Sequence, residues 1–572
     1  MSLRVLFMRV RAKRPKGTPL AAFLSFRSQN FWHASHEIKF KQEKCSHASK
    51  SIAIICYNAR KAGGTDYGMR KYDVIIIGTG AGNIVLDAAL KQGLQCAVIE
   101  KGKFGGTCLN RGCIPTKVLA TAADYVREIQ DLPKIGVDVG PAKMNWEIVS
   151  RRVWEKIDEH KAVLRHYQKY ANLAIYQGSA FFTADKVLQV KMHDGTVSEE
   201  MTADKIIINV GARTNLPEIA GREEAGYICS ETLFGDKYPQ KPYKSLIIIG
   251  GGPIGCEFSH IFATAGTKVT IVQHNNRLLP KADEEISAQI RQNMEALGIK
   301  TYLNANLLQV KKGENQKVLT FEDRETSEKI AIAADEIMYA TGIKPVSKEL
   351  RIENTSIETD ERGWIKTNEF LETSVNGVWA IGDINGQPAF RHKANYEGDI
   401  LAHNLFGGNE PLKWRWARYD VVPAVTFTYP QVAQVGLTEA EAREKGCAVK
   451  TGKQFYRNTA KGYALGLTAD DGHDGFVKLV VDGKTNNILG VHVIGAQASL
   501  LIQPFINMMN MGTVTIKAIN KEIGSETAQE LRNIRLTRTL DPHSVISVGE
   551  TMTPHPSLAE VIMWTQYYFE GK

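Results

Sequence analysis

No stretch of this 572-residue chain is apolar for long enough to cross a bilayer. Its longest apolar runs, such as Ser245 to Ile249 and Ile206 to Val210, have strand length, well short of the roughly 20 residues a spanning helix needs. No membrane role is expected. Cysteine is scarce and unframed: Cys45, Cys56, Cys96, Cys108, Cys113, Cys229, Cys256 and Cys447 are scattered without scaffold spacing. That argues for a reducing compartment in which any disulfide is catalytic, and no secretory signal is evident. Acidic residues are missing before Glu37, and residues 1–68 carry thirteen Lys and Arg against three acids. The chain's net charge of +9 therefore sits in that extension, leaving −1 for the rest and no basic surface for nucleic acid.

The extension is compatible with an organellar transit peptide, a disordered basic tail, or a start placed too early. The last is favoured because Met69-Arg-Lys-Tyr runs straight into a strand. A cytoplasmic protein is expected, or a mitochondrial-matrix one if the extension is a genuine transit peptide. The length suggests three to four domains.

What stands out is Gly105 to Lys117, GGTCLNRGCIPTK, with four residues between Cys108 and Cys113. On an ideal helix these cysteines lie about 140° apart, so a loosened first turn is needed for a disulfide at roughly 5.5–6 Å between Cα atoms. Gly105, Gly106 and Gly112 supply looseness, and a helix start favours thiolates. Zinc prefers two such pairs and none follows; thioredoxin-type motifs have two intervening residues. A redox-active disulfide is the reading, against two unconnected buried cysteines, and no metal site is expected.

Two dinucleotide signatures flank it. Asp73 to Ile77 reads as a strand, Gly78, Gly80 and Gly82 as a tight phosphate turn before a helix, and Glu100 ends the next strand where a carboxylate meets ribose hydroxyls. Asn83 replaces the third glycine of the pattern. The unit recurs with Gly250, Gly252 and Gly255, but Gln273 holds the ribose position. Gln does not discriminate strongly, but no pair of arginines replaces the acid, so NADH is favoured without excluding NADPH; His274 and Arg277 lie near enough in sequence to meet a phosphate.

Two such units and a cysteine pair resemble the flavin-dependent pyridine nucleotide-disulfide oxidoreductases over nearly all of the chain from Tyr72. The resemblance implies an α/β fold of FAD-binding (69–224 and 343–414) and NAD(P)-binding (225–342) Rossmann-like domains and a C-terminal α+β dimerisation domain (415–572) with an insertion near 513–548. It implies FAD contacts from Lys101, Gly106, Thr107, Gly211, Gly382 and Asp383, a strand crossing at Gly342, and an ion pair of Lys117 with Glu257 beside the flavin. It also implies a homodimer in which His555, oriented by Glu560, reaches the cysteines of the other subunit. Pro253 stands where some relatives have an aromatic gate, so that gating is not implied.

Substrate is argued by elimination. Mercuric reductases carry a C-terminal cysteine pair, absent here, and Asp87 stands where glutathione reductases place an arginine. Dihydrolipoamide, free or on a lipoyl domain of a multienzyme complex, is expected, with NAD⁺ as acceptor. Alternatives are reduction of a low-molecular-weight disulfide and, further off, a diaphorase or NADH oxidase. Arg111 could stabilise thiolates, attract an anion or face solvent. The charged stretch Thr513 to Val548, with Glu522, Glu526, Glu530, Arg532, Arg535 and Arg538, reads as a surface excursion.

Overall fold

Asp73–Ile77 and Ser245–Ile249 are apolar on both faces, a pattern that requires cover on both sides of a parallel sheet. The structure, a computed structural model, describes residues 69–566 except 409, 471 and 473, together with Phe569. The basic extension lies outside the described residues. Strand Arg70–Ile77 is flanked by parallel strands Cys96–Glu100 and Met201–Ile208, with Leu173–Ala184 beyond the former and Val378–Ala380 beyond the latter. Val187–Met192 runs antiparallel beside Leu173–Ala184. One face of this six-stranded sheet buries Val74, Ile76 and Val98 against Val85, Leu86 and Ala89 of helix Gly82–Lys91. The other buries Ile75 and Ile77 with Phe182, Leu188 and Ile384.

The second parallel sheet orders Lys300–Tyr302, Lys268–Val272, Ser245–Ile249, Glu336–Tyr339 and Ile228–Cys229, with helix Pro253–Thr264 after its central strand. Ala212–Thr214 and Ile343–Pro345 pair antiparallel where the chain leaves the first sheet and returns. Both nucleotide turns thus sit at the carboxyl ends of parallel strands, where ligands bind in such folds. Alternation from about residue 415 becomes an antiparallel sheet ordered Ala424–Thr426, Gln431–Gly436, Ile488–Gly495, Phe476–Asp482, Val449–Phe455.

The charged stretch after residue 512 differs from the expected surface excursion. Gly512–Thr515 pairs with Thr537–Leu540 around helix Glu526–Asn533. Ala528, Leu531 and Leu536 are buried with Phe370 and Trp416. The apolar residues interleaved among the charges explain the difference: burying a leucine contributes about 1.5–3 kcal/mol, more than its exposed charged neighbours lose.

Candidate redox site

The helix carrying Cys108 ends at Arg111, and Cys113 is the first residue of a new helix, Cys113–Asp131. Gly112 makes the break. A Cβ there would stand 3.0 Å from the Thr107 carbonyl oxygen, so the close approach of the two short segments depends on its absence. With the helix interrupted, the Cys108 and Cys113 sulfurs and a His555 ring nitrogen all lie within 4.8 Å of one another. Both cysteines are free thiols, Cys108 buried and Cys113 partly so.

Charge is divided unequally between them. A hydrogen bond from Cys108 holds the Cys113 thiol well below its ordinary pKa, helped by His555 and Lys117 against the cost of burial. Donating that bond, and burial, push Cys108 up. Negative charge is therefore favoured on Cys113, at the positive end of a 19-residue helix. His555 Nε2 lies 3.1 Å from Cys108 Sγ. Its Nδ1–H donates to Glu560 Oε1 at 2.8 Å, and the other Glu560 oxygen accepts from the Ser557 N–H at 3.1 Å. Burial pulls the imidazolium down, but Cys113 and Glu560 outweigh it and raise His555 to about 9. The tautomer is set: Nδ1 keeps its proton, and Nε2 is the atom that exchanges one.

Lys117, one turn along the cysteine helix, meets Glu257 at 2.6 Å. The second Glu257 oxygen accepts from the Phe427 N–H at 2.9 Å, and the Lys117 ammonium lies 4.5 Å above the Phe427 ring. Arg111 turns away from the thiols, 3.7 Å from Glu231, which also faces Arg213 at 3.6 Å.

The first nucleotide cradle fits a dinucleotide. Gly78 has φ +100°, and a Cβ on it would strike the Asn209 carbonyl at 2.2 Å. Gly106, at φ +69°, approaches so closely that a Cβ would lie 2.8 Å from Gly80 Cα. Glu100 accepts from the Thr79 N–H at 3.0 Å and the Gly102 N–H at 2.7 Å, closing the turn at the ribose position. Asp383 makes no side-chain hydrogen bond among the described residues, and burial pushes its carboxyl up, as suits a group awaiting a hydroxyl-bearing ligand. Thr107 is exposed, and exposed Lys101 pairs with Glu349 at 2.7 Å instead of facing the turn. Gly211 and Gly342, both at positive φ, sit at the crossing between sheets.

In the second cradle a Cβ on Gly255 would lie 1.9 Å from the Gly250 oxygen, so the third glycine is obligatory. Gln273 is buried and spent on the turn: its Oε1 accepts from the Gly251 N–H at 2.8 Å and its Nε2 donates to the Arg277 carbonyl at 3.3 Å. It does for this turn what Glu100 does for the first. Arg277 itself donates to the Pro280 carbonyl at 3.0 Å.

Several site residues were not singled out from the sequence. Asn209 accepts from the Gly82 N–H at 2.8 Å and donates to the Ile381 carbonyl at 3.0 Å, tying the first turn to the Asp383 segment. Glu397, fully buried, accepts from the Gly382 N–H, Asn385, Lys393 and Tyr419. His392, held down to about 4 by burial, accepts the His555 N–H on Nδ1 at 3.3 Å. The run Arg391-His392-Lys393 opening a helix was the available signal.

Within the single chain of this structure, His555 lies against Cys108. The segment leading to it is tied to the same polypeptide: Glu550 lies between Arg415 and Arg538, and Met552 is buried among Leu401, Ala417 and the first-sheet residues.

The profile described as pyridine nucleotide-disulphide oxidoreductase matches residues 72–398, and that family's dimerisation domain matches residues 422–529. The chain is 31% identical over 512 residues to a dihydrolipoyl dehydrogenase of Bacillus subtilis, covering 88% of this chain and 98% of that protein. It is 32% identical over 449 residues to a mycothione reductase of Mycobacterium tuberculosis, covering 78% and 94%. The solved structure of the HOCl-induced flavoprotein disulfide reductase RclA from Escherichia coli superposes with a TM-score of 0.65 at 26% identity, covering 86% of this chain and 98% of that one. FAD and NAD(P), the cofactors of these enzymes, match the two cradles. With its two nucleotide turns and a dithiol at the first of them, this chain belongs to the pyridine nucleotide-disulfide oxidoreductase family.

Proposed function

We propose that the protein is a dihydrolipoyl dehydrogenase, oxidising dihydrolipoamide to lipoamide with NAD⁺ as acceptor. The observation that carries the thiol chemistry is the Cys108–His555–Glu560 chain of contacts at 3.1 and 2.8 Å beside Cys113. Similarity spanning 98% of the Bacillus subtilis enzyme supports the substrate.

In the oxidised state Cys108 and Cys113 are joined. His555 Nε2 takes the proton of one substrate thiol, and that thiolate attacks Cys108 Sγ. The Cys108–Cys113 bond breaks, and Cys113 leaves as the thiolate this environment favours. The second substrate thiol then gives its proton to solvent and attacks its partner sulfur in the mixed disulfide, closing lipoamide and releasing Cys108, which takes its proton from His555. Glu560 keeps the imidazolium oriented throughout. Bound FAD, held by the first glycine turn, Glu100 and Asp383, would accept the electron pair and pass it as hydride to NAD⁺. Lys117 holds positive charge near Cys113 while Glu257 fixes the ammonium. Gly250, Gly252 and Gly255 would seat the nicotinamide dinucleotide.

A homodimer through the dimerisation domain and a reducing, cytoplasmic setting belong to this reading. No helix of the described residues is long and apolar enough to cross a membrane. A second reading, NAD(P)H-dependent reduction of a low-molecular-weight disulfide, is favoured by Arg391. Its guanidinium makes no ion pair among the described residues and favours the Cys108 thiolate, a field that would also attract substrate carboxylates.

Anaerobic titration of the flavin-loaded protein with NADH, followed by lipoamide, tests the proposal. A long-wavelength thiolate-to-flavin band discharged by lipoamide is expected. Discharge only by another disulfide moves the substrate to the second reading, and flavin bleaching without the band removes the dithiol mechanism.

A further inference from the structure

Leucine disfavours left-handed backbone, yet Leu279 is held there, at φ +44°. Such a conformation persists only where its surroundings enforce it, and this one lies against the second nucleotide turn. The Leu279 N–H donates to the Gly251 carbonyl at 2.8 Å. Its own carbonyl accepts from the Ala282 N–H at 2.8 Å and the Ser287 hydroxyl at 3.1 Å. Beside it, Leu278 packs so closely on the turn that a Cβ on Gly251 would stand 2.5 Å from its Cδ2. Residues 277–283 are therefore one wall of the cradle, and the wall is strained.

What holds this wall comes from the antiparallel sheet of the dimerisation domain. Gln434, in strand Gln431–Gly436, donates to the Lys281 carbonyl at 3.3 Å. Asp283 ends the wall and caps helix Glu284–Ala296 by accepting the Glu285 N–H at 3.2 Å. It is buried, and it meets the ammonium of Lys478, in strand Phe476–Asp482, at 3.0 Å. The Lys478 side chain is itself buried and reaches two further carboxylates, Glu285 and Glu439, each at 2.8 Å. Asp283 also accepts the Glu439 N–H at 3.3 Å. One buried lysine thus joins carboxylates of the nucleotide domain to one of the dimerisation domain, and displacing it would strand charge out of water.

We propose that Lys478 is a positioning residue for the nicotinamide-dinucleotide cradle: from the dimerisation domain it fixes residues 277–283, and through them the Gly251 turn, in the conformation that receives the coenzyme. That domain then has a second role, as the backing of a coenzyme site. The proposal rests on the second cradle binding NAD(P) and is independent of which dithiol or disulfide is the substrate.

Coenzyme binding decides this. Asp283→Ser keeps a good helix cap but is too short to reach Lys478, and it leaves that ammonium with two carboxylates. Lys478→Met cuts the same tie from the other side. NAD⁺ and, separately, NADP⁺ are titrated calorimetrically into each oxidised flavoprotein, with which they cannot react. The KM for the matching reduced coenzyme is measured with ferricyanide as acceptor. In both variants the dissociation constant and the KM are expected to rise about tenfold, while FAD content and kcat at saturating coenzyme stay at wild-type values. A folded variant with wild-type coenzyme affinity overturns the proposal. So does loss of FAD in step with coenzyme, which would make the joint a support of the whole fold. If Lys478→Met yields no folded protein because its carboxylates are stranded, Asp283→Ser decides alone. A wild-type flavoprotein that binds neither coenzyme removes the assignment of the second cradle, and the proposal with it.

Discussion

Replacing Glu560 with Gln keeps the side chain's shape and removes the charge that holds His555 Nδ1 at 2.8 Å. Both groups are largely buried, so solvent screens the pair little. A hydrogen bond to a charged group contributes about 1.5–3 kcal/mol and a neutral one about 0.5–1.5, a difference of about 1–1.5 kcal/mol. At about 1.4 kcal/mol per unit, His555 should fall from about 9 by about one unit. The assay is the rate of Cys108 alkylation in the reduced protein from pH 5 to 10, whose upper inflection follows loss of the His555 proton. A downward move of about one unit is expected. An inflection at the wild-type position would show that the thiols alone set the imidazole, and the assigned role of Glu560 would fall. The same shift governs stability. His555 is raised on folding, so its contribution is complete below its ordinary value of 6.5 and disappears as the pH climbs through about 9. The Gln variant's deficit in denaturant midpoint should be largest near pH 6 and vanish above that upper limit; a deficit that grows with pH contradicts the assignment.

Cys113→Ser should lower lipoamide-dependent turnover by about 10³-fold or more while NADH oxidation by artificial acceptors survives; equal loss of both activities would count against the dithiol relay. Lys393→Met strands the fully buried Glu397, 3.2 Å away, and should cost about 3–5 kcal/mol in urea unfolding; a change below about 1 kcal/mol would mean that Gly382, Asn385 and Tyr419 satisfy the carboxylate without it. Gln273→Glu keeps the acceptor for the Gly251 N–H and adds a charge opposed to a ribose phosphate. The ratio of NADH to NADPH specificity constants should rise by about tenfold, and an unchanged ratio would place residue 273 out of reach of the ribose.

The glycine turns and the strands leading into them were legible because each is written within some thirty residues: a doubly buried strand, a turn that a Cβ would obstruct, and a polar cap on the following strand. Cys108, Cys113, His555 and Glu560 were legible as two local spacings. What joins them was not. Asn209 bonds to Gly82 across 127 residues and to Ile381 across 172, and no local pattern separates such an asparagine from one facing solvent. Gln273 occupied the expected position, yet its inward orientation depends on the Gly251 N–H, a partner 22 residues away. The excursion was misread because its arginines and glutamates were counted as solvated, whereas Arg532 answers a carboxylate buried 163 residues earlier.

Cys108 and His555, whose ring nitrogen lies 3.1 Å from its sulfur, are separated by 447 residues of sequence. A ribosome adding about 5–20 residues per second exposes the cysteine for roughly 20–90 s before His555 has been made. During that interval the thiol lacks its proton partner and has the reactivity of an ordinary cysteine, largely protonated at neutral pH. The nascent dithiol is thus chemically quiet while the chain is unfinished. On the proposed function its redox competence waits for His555, so a product truncated before that residue would carry both cysteines and be unable to use them.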